Sequence, residues 1–347
     1  MKKQYNYCLD FIKGIACIFV VFMHCEFPGI LGVAVQAISR FCVPLFFMVS
    51  GFFCYNANNL NVNSVGEVVV VVFFGGGKCL IINKKVRHIL KIVIWACLFY
   101  LCFVCLQQLL FHNQSFHVSQ KSILFFVLFN VPFVVAGQYW FLFALLYTYL
   151  FYFLLCRLKV GKYAYWLAGL QFFVYITLAQ GAHIAGFHVP NCFYRNWLVE
   201  GFAYFMLGHW IHEHQEIIKL SNATLIWILV LSSLACFLER YWLGRDFGVN
   251  ICTIPQVFAL FVLAVKNPNK NAGYFQRLGR DCSMLVYIFH PAVWHTLDKV
   301  YSVAGIKSNV FALYMKPIFV VVLSVLFAMA FNKIVDVLRE RNQLVKL

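Results

Sequence analysis

The sequence contains few charged residues, and acidic residues are especially rare. Charged side chains make up 12% of the 347 residues, with 12 Asp and Glu against 28 Lys and Arg, whereas hydrophobic residues make up 63%. A soluble globular protein does not need so large an apolar fraction, so the composition indicates a multi-spanning helical membrane protein. The net charge of +16 is first a signal of membrane topology, because no RNA- or DNA-binding motif accompanies it.

The sequence also lacks an internal repeat, a long linker and any stretch that resembles a soluble second domain. A single transmembrane domain over residues 1–347 is therefore expected. Most of the 14 cysteines lie inside apolar runs, where they behave as small hydrophobic residues, so neither a disulfide framework nor a metal site is expected. The basic N-terminus resembles a signal peptide, but the apolar run after Asp10 has no small-residue cleavage site and is expected to be a retained first helix.

About ten apolar segments are long enough, or nearly long enough, to cross a bilayer as helices. They lie near residues 7–27, 39–55, 89–111, 138–156, 163–180, 195–212, 223–243, 250–266, 282–302 and 313–337. The apolar segment 121–135 contains Asn130 and Pro132 and is expected to be interfacial or re-entrant. The valine run 68–72 favours a β-strand over a helix. The fold class predicted is an all-α integral membrane protein with about ten transmembrane helices.

The distribution of basic residues predicts the orientation of these helices. If the N-terminus is cytoplasmic, 19 of the 28 lysine and arginine residues fall in cytoplasmic segments and 8 on the opposite side, while Lys13 lies inside the first helix. Basic residues are enriched in cytoplasmic loops, so both termini are expected to be cytoplasmic.

The first predicted helix carries two titratable residues that share one face. Lys13 and His24 are 11 residues apart, which corresponds to about three helical turns and about 16 Å along the axis. Asp10, one turn before Lys13, is placed to neutralise it. One interpretation is a lysine that extends to the membrane surface and an interfacial histidine; the other is a functional face with a cation near the cytoplasm and a base near the outer side.

Several motifs then occur in a specific order. The first helix carries Lys13 and His24 with ten residues between them, and the second carries Phe46, Phe47, Ser50, Gly51 and Phe52. Three further segments follow: "QYWFLFALL" at 138–146, "GFAYFMLGHWI" at 201–211 and "LGRDCSMLVYIFHP" at 278–291. Together they resemble acyltransferase family 3, a family of integral membrane enzymes, and the resemblance covers nearly the whole chain. Many members of that family carry an arginine four residues after the Phe52 position, where this chain has Asn56.

The resemblance implies an acyl-CoA-dependent O-acyltransferase. Such an enzyme transfers an acyl group, often acetyl, from cytoplasmic acyl-CoA to a hydroxyl of a cell-surface glycan or its lipid-linked precursor. It needs acyl-CoA as donor substrate and no permanently bound cofactor, and it resides in the bacterial cytoplasmic membrane as a multi-pass protein. Its partners are acyl-CoA, the glycan acceptor and membrane lipids, with no nucleic acid.

The resemblance assigns His24 and Lys13 as the catalytic candidates. His24 would act as a base on the acceptor hydroxyl or form a transient acyl-histidine. Basic residues are candidates for the phosphates of CoA, although the positive-inside rule alone also explains them: Lys84, Lys85, Arg87 and Lys91. Candidates for contacts with the substrate are Glu26, Trp140, Arg195, Glu200, Tyr287 and His290.

Ordinary structural roles are the alternatives for these residues. Glu26 and Arg195 would be exposed loop residues, His290 would make a bond between helices, and Trp140 would belong to an interfacial aromatic belt. Asp281 and Ser283 are expected to cap the ninth helix, and Ser50 and Gly51 to permit close helix packing. For the whole chain, the alternative is a small-solute transporter or export module without acyl-transfer chemistry.

Overall fold

The architecture is entirely helical in the part of the chain that the computed structural model describes, residues 5–55, 80–111, 119–132, 137–158, 160–270 and 273–344. The main helices are α1 (Tyr7–His24), α2 (Gly29–Ser39), α3 (Cys42–Phe52), α4 (Leu80–Phe111), α5 (Gln120–Phe129), α6 (Trp140–Arg157), α7 (Ala164–Ile176), α8 (Ala203–His214), α9 (Asn222–Leu243), α10 (Thr253–Lys266), α11 (Ser283–Val303) and α12 (Val310–Leu344). No strand occurs within these ranges, which confirms the all-α class. Asn56 and the valine run 68–72 lie outside the described residues.

Within the described residues, seven segments are long and apolar enough to cross a membrane. They are Tyr7–His24, Gly29–Phe52, Lys85–Leu109, Gly137–Arg157, Ala164–Ile184, Asn222–Leu243 and Val310–Glu340. The three other predicted spans also contain helices, namely α8, α10 and α11, but α10 has only 14 residues and the other two are not among the seven. A multi-pass membrane protein is therefore supported, whereas ten spans and cytoplasmic termini stay predictions.

Two local features differ from or refine the sequence expectation. The second predicted span starts at residue 39, but the structure adds α2 before it and breaks the helix at Arg40 and Phe41. The guanidinium of Arg40, only 4% exposed, pairs with the carboxylate of Asp246 at this break. In the predicted interfacial segment, α5 is a 10-residue helix that ends at Asn130 in the left-handed region, with φ 51°, and it is too short to span a bilayer.

Contacts divide the chain into two compact units. Unit one combines Met1–Leu45 with Leu220–Leu347, and unit two comprises Phe46–Lys219. In unit one, α1 packs against α2, α10 and the chain from residue 274 to α11, and α11 packs against α12. In unit two, α6 and α7 both pack against the turn 197–202 that precedes α8. The single domain over residues 1–347 stays a prediction.

In each unit, glycines allow the backbones of two helical segments to pack in close contact. In unit one, a Cβ on Gly14 would lie 2.0 Å from the Phe275 carbonyl oxygen, and a Cβ on Gly279 would lie 1.8 Å from the Asp10 carbonyl oxygen. In unit two, a Cβ on Gly51 would lie 1.8 Å from the Phe205 carbonyl oxygen. Backbones approach this closely only where no side chain intervenes, so the close packing expected at Gly51 is confirmed.

Candidate active site

The first helix presents Lys13 in an ion pair close to its N-terminus. The amide oxygen of Asn6 caps α1 by accepting from the Leu9 backbone N–H at 2.8 Å. The Lys13 ammonium then lies 2.6 Å from the Asp10 carboxylate, as the spacing in the sequence predicts. The hydroxyl of Tyr5 also donates to this carboxylate, and Tyr5 accepts from the Gln276 amide at 3.1 Å. Burial and the bond to Asp10 raise the pKa of Tyr5.

A second set of charges lies near this end of α1. Arg280 makes two bonds to the Asp281 carboxylate, from Nε at 2.7 Å and from Nη2 at 2.9 Å. The bonds from Arg280 lower the pKa of Asp281, and Lys13 and Arg277 act in the same direction by charge. The Lys13 ammonium is therefore part of a mixed cluster of cations and carboxylates.

The expected capping role of Asp281 and Ser283 is wrong. The N-cap residue of α11 is Cys282, and it makes no side-chain cap bond. Asp281 pairs with its neighbour Arg280, and the Ser283 hydroxyl donates to the Gly279 carbonyl oxygen at 2.8 Å. The helical path begins earlier, at Tyr274, and continues through a π-turn at 278–282, so residues 281–283 lie inside a helical segment, where no free N-terminal amides remain to be capped.

The other end of α1 brings two histidines into contact. His24 is the last residue of α1, and its ring stacks on that of His290 with the ring centres 5.4 Å apart and the planes at 22°. His290 is 1% exposed, and its Nδ1 lies 3.2 Å from the Val286 carbonyl oxygen. A carbonyl only accepts, so this contact places the proton on Nδ1 and leaves a lone pair on Nε2. Among the described residues, His290 Nε2 has no hydrogen-bond partner.

Further polar residues surround this histidine pair. The Tyr287 ring lies 5.9 Å from that of His290. The Lys316 ammonium on α12 pairs with the Asp298 carboxylate on α11 at 2.6 Å. Cys25 directly follows His24. Its thiol interacts electrostatically with three charged residues, Lys316, Asp298 and Glu26. Glu26 is an exposed residue that accepts a hydrogen bond from the Gln36 amide.

The structure therefore brings His24, Tyr287 and His290 together, with Glu26 nearby. The Asp298–Lys316 pair was not among the candidates predicted from the sequence. The signal was present in the sequence, because Lys316 lies in the otherwise apolar first half of α12, and charged residues in such segments are usually paired or functional.

Unit two brings together the three remaining substrate candidates. The Arg195 guanidinium lies over the Trp140 ring, 4.9 Å from its centre, in a cation–π contact. Glu200 is 2% exposed and lies in the π-turn Trp197–Phe202. Tyr175 of α7 interacts electrostatically with both Glu200 and Arg195. Neither Trp140, which is buried, nor Glu200 is an exposed interfacial residue.

Asn130 holds the backbone of this region in place. Its amide nitrogen donates to the Trp140 carbonyl oxygen at 3.1 Å, and its amide oxygen accepts from the Trp197 backbone N–H at 2.8 Å. The left-handed conformation of Asn130 thus connects the end of α5 with the starts of α6 and of the π-turn. The residue that interrupts the apolar pattern of segment 121–135 has a structural role.

The basic candidates for the phosphates of CoA lie on α4. Arg87 and Lys91 are exposed, and the Lys85 ammonium donates to the Phe53 carbonyl oxygen. Lys84 lies in the same helix, in a part whose side chains are not described. Their role with a donor phosphate stays a prediction.

The histidine-rich segment 209–214 forms a hydrogen-bonded network. The two ring nitrogens of His209 lie 2.8 Å from the Tyr152 hydroxyl and 2.7 Å from the Tyr165 hydroxyl. Tyr165 also donates to Glu213. Within the described ranges, no group of three or more His, Cys, Asp or Glu side chains is arranged to hold a metal ion.

Comparison with protein families yields one match. A family model described as an acyltransferase domain matches residues 6–333, which is nearly the whole chain and includes residues of both units. Searches of curated proteins and of solved structures gave no match.

Proposed function

The chain belongs to acyltransferase family 3, and from this premise we propose that it is a membrane O-acyltransferase that uses cytoplasmic acyl-CoA as donor. The acyl group is acetyl in the commonest family case, and the acceptor is a hydroxyl of a cell-surface glycan or its lipid-linked precursor. The membrane is the bacterial cytoplasmic membrane. The observation that carries the proposal is the stacked His24–His290 pair at the end of the helix that also carries Lys13.

His24 is the general base of the proposed reaction. Its imidazole removes the proton from the acceptor hydroxyl while the hydroxyl oxygen attacks the thioester carbonyl carbon. The carbon–sulfur bond breaks, the ester forms, and the proton passes from His24 to the thiolate of CoA. The neighbouring His290, held in one tautomer by its bond to Val286, orients the ring of His24 by stacking on it.

A transient acyl-His24 is the second route to the same ester. In that route the imidazole nitrogen attacks the thioester carbonyl carbon, the carbon–sulfur bond breaks, and the CoA thiolate leaves and takes up the imidazole proton. The acceptor hydroxyl then attacks the acyl-imidazole, the carbon–nitrogen bond breaks, and the hydroxyl proton passes to the released imidazole. The two routes differ in one observable. Protein denatured rapidly at neutral pH after exposure to labelled acyl-CoA without acceptor is expected to carry label that is missing from His24→Ala if His24 is acylated, and equal label in both if it is not.

Basic residues bind the donor in this proposal. CoA carries several phosphates, and Lys84, Lys85, Arg87 and Lys91 supply cations for them on α4. Lys13, although paired with Asp10, offers a further ammonium donor on α1, about 16 Å before His24. Only the thioester end of the donor then needs to reach His24, so acyl-CoA does not cross the membrane whole.

The acceptor is bound by aromatic and polar groups. Trp140 offers a ring face and Arg195 and Glu200 offer charged hydrogen-bonding groups in unit two. Glu26 and Tyr287 offer further polar contacts near His24 in unit one. Within unit two, the aromatic face of Trp140 beside the guanidinium of Arg195 suits a sugar ring.

Glycan analysis tests the proposal against the transporter alternative. Cells that express the wild type are expected to carry an ester on a surface glycan, and cells with His24→Ala are expected to lose it while the protein is still inserted. His188→Ala is the matched control, because His188 is an exposed histidine outside the site. Normal ester content in the His24→Ala strain would refute the mechanism, and a protein that moves a solute without forming any ester would favour the transporter.

A further inference from the structure

Unit two contains a buried glutamine whose amide has no hydrogen-bond partner among the residues that the structure describes. On α7, Ala164, Ala168, Gln171 and Tyr175 form one buried face with helical spacing. Gln171 is 5% exposed, and neither its amide nitrogen nor its amide oxygen has a hydrogen-bond partner among the described residues. A buried primary amide with both atoms unpaired is unfavourable in any interior and more so in a membrane span, so its presence needs a reason.

The position of Gln171 makes solvent an unsuitable partner. Gln171 is the eighth residue of the membrane-spanning segment Ala164–Ile184. It therefore lies about 10 Å along the axis from one end of the span and about 20 Å from the other, at about 1.5 Å per residue. A polar group at this depth usually faces a cavity or a bound molecule.

Gln171 is also next to the substrate candidates of unit two. Tyr175 is one helical turn further along the same face and interacts electrostatically with Glu200, Arg195 and Tyr204. Phe172, the neighbour of Gln171, contacts the Tyr204 ring with the ring centres 4.9 Å apart. Gln171 is therefore one helical turn from a tyrosine that interacts with Arg195 and Glu200.

The backbone around this region is irregular on both sides. α7 continues directly into a π-turn at Thr177–Gly181, and the element that packs against α7 begins with the π-turn Trp197–Phe202. π-turns insert an extra residue into a helix and occur frequently at functional sites. Two such turns in neighbouring elements set this face apart from the regular helices α9 and α10.

We propose that Gln171 and Tyr175 form a binding site for an uncharged substrate group that presents a hydrogen-bond donor beside an acceptor. The identity of the substrates in this proposal rests on the proposed function. A primary amide donates from nitrogen and accepts at oxygen, side by side, so its complement is a pair of neighbouring hydroxyls or an amide. The first occurs on the acceptor sugar and the second in the pantetheine arm of the donor.

Substitution of Gln171 by leucine provides a selective test. Because Gln171 has no hydrogen-bond partner among the described residues, Gln171→Leu breaks no described hydrogen bond and is expected to melt at or above the wild-type temperature without ligand. A loss of binding in this variant is therefore not a loss of folding. Ser324→Ala is the control. The Ser324 hydroxyl is also buried and has no hydrogen-bond partner among the described residues, but it lies on α12 in unit one, away from α7 in the sequence.

Binding is measured by the shift of the melting temperature of the purified full-length protein in detergent. The probes are pantetheine and the methyl α-glycosides of glucose, galactose and mannose. One probe class is expected to stabilise the wild type and Ser324→Ala, and its apparent affinity is expected to fall at least tenfold in Gln171→Leu. A shift with glycosides assigns the site to the acceptor, and a shift with pantetheine assigns it to the donor.

Two outcomes overturn the inference: equal affinities in wild type and Gln171→Leu, or no shift with any of the probes. The His24→Ala variant separates this result from the proposed function, because it removes the chemistry and is expected to retain the shift. Probe binding that depends on Gln171, in a protein that forms no ester in cells, would keep the site and refute the acyltransferase reaction.

Discussion

Substitution of Gly14 by alanine tests the geometry on which the proposed site depends. The new Cβ would lie 2.0 Å from the carbonyl oxygen and 2.9 Å from the carbonyl carbon of Phe275. Both are backbone atoms, so no side chain can rotate away. Since ordinary contact begins at 3.4 Å, α1 and the segment that starts at Tyr274 must separate by about 1.4 Å.

Two opposing effects decide the change in stability. Forced separation of a packed interface costs about 1–3 kcal/mol. Alanine in a helix interior is favoured over glycine by up to about 1 kcal/mol. The clash is the larger effect, so Gly14→Ala is expected to lower the free energy of unfolding by about 1–2 kcal/mol. The separation also displaces α1 relative to α11, and a misplacement of about 1 Å between reacting groups can reduce the rate about 100-fold.

The assay combines melting temperature in detergent with the ester content of surface glycans. Gly14→Ala is expected to lower both. Gly169→Ala on α7 is the matched control, because its Cβ would meet no atom within 4 Å and only the helix-propensity gain remains. Gly279→Ala disturbs the same crossing, so the double variant with Gly14→Ala should cost less than the sum of the two. A Gly14→Ala protein with wild-type melting and ester content would refute the close crossing.

Two further predictions concern the donor path. In a labelled acyl-CoA assay, Lys13→Ala should lose most of the transfer activity and Lys13→Arg should keep part of it, because only the arginine variant retains a cation beside Asp10. Wild-type activity in Lys13→Ala would mean that Lys13 serves as a membrane anchor. Inverted membrane vesicles that contain lipid-linked acceptor should consume added acyl-CoA and sealed right-side-out vesicles should not, because the donor enters from the cytoplasm; equal activity in both would contradict a donor path along α1.

The features that local sequence determines were predictable. The apolar runs predicted the helices because each run is long enough, or nearly long enough, to span a bilayer. The pairing of Asp10 with Lys13 followed from a spacing of three residues on one helix. Gly51 was recognised because a small residue beside Ser50 in an apolar helix is typical of close packing.

Contacts between distant parts of the chain could not be predicted in the same way. His24 and His290 were both candidates, but helical periodicity contains no information about a contact across more than 260 residues. Arg40 lies at the start of the second predicted span, but its pairing with Asp246, more than 200 residues later, could not be read from the sequence. Gln171 was not among the candidates, and only the packing of α7 shows that its amide is buried.

The order of synthesis matters for unit one, because its two segments, Met1–Leu45 and Leu220–Leu347, are far apart in the chain. Gly14 contacts a carbonyl about 260 residues later in the chain, so at 5–20 residues per second α1 exists for roughly 10–50 s before its partner is made. Asp10 neutralises Lys13 within the helix during this interval, which reduces the cost of holding a lysine in lipid. Nascent chains arrested before residue 274 are therefore expected to contain an inserted α1 whose Gly14 has not yet met Phe275 and Gly279, and unit one is expected to assemble only after these residues are made.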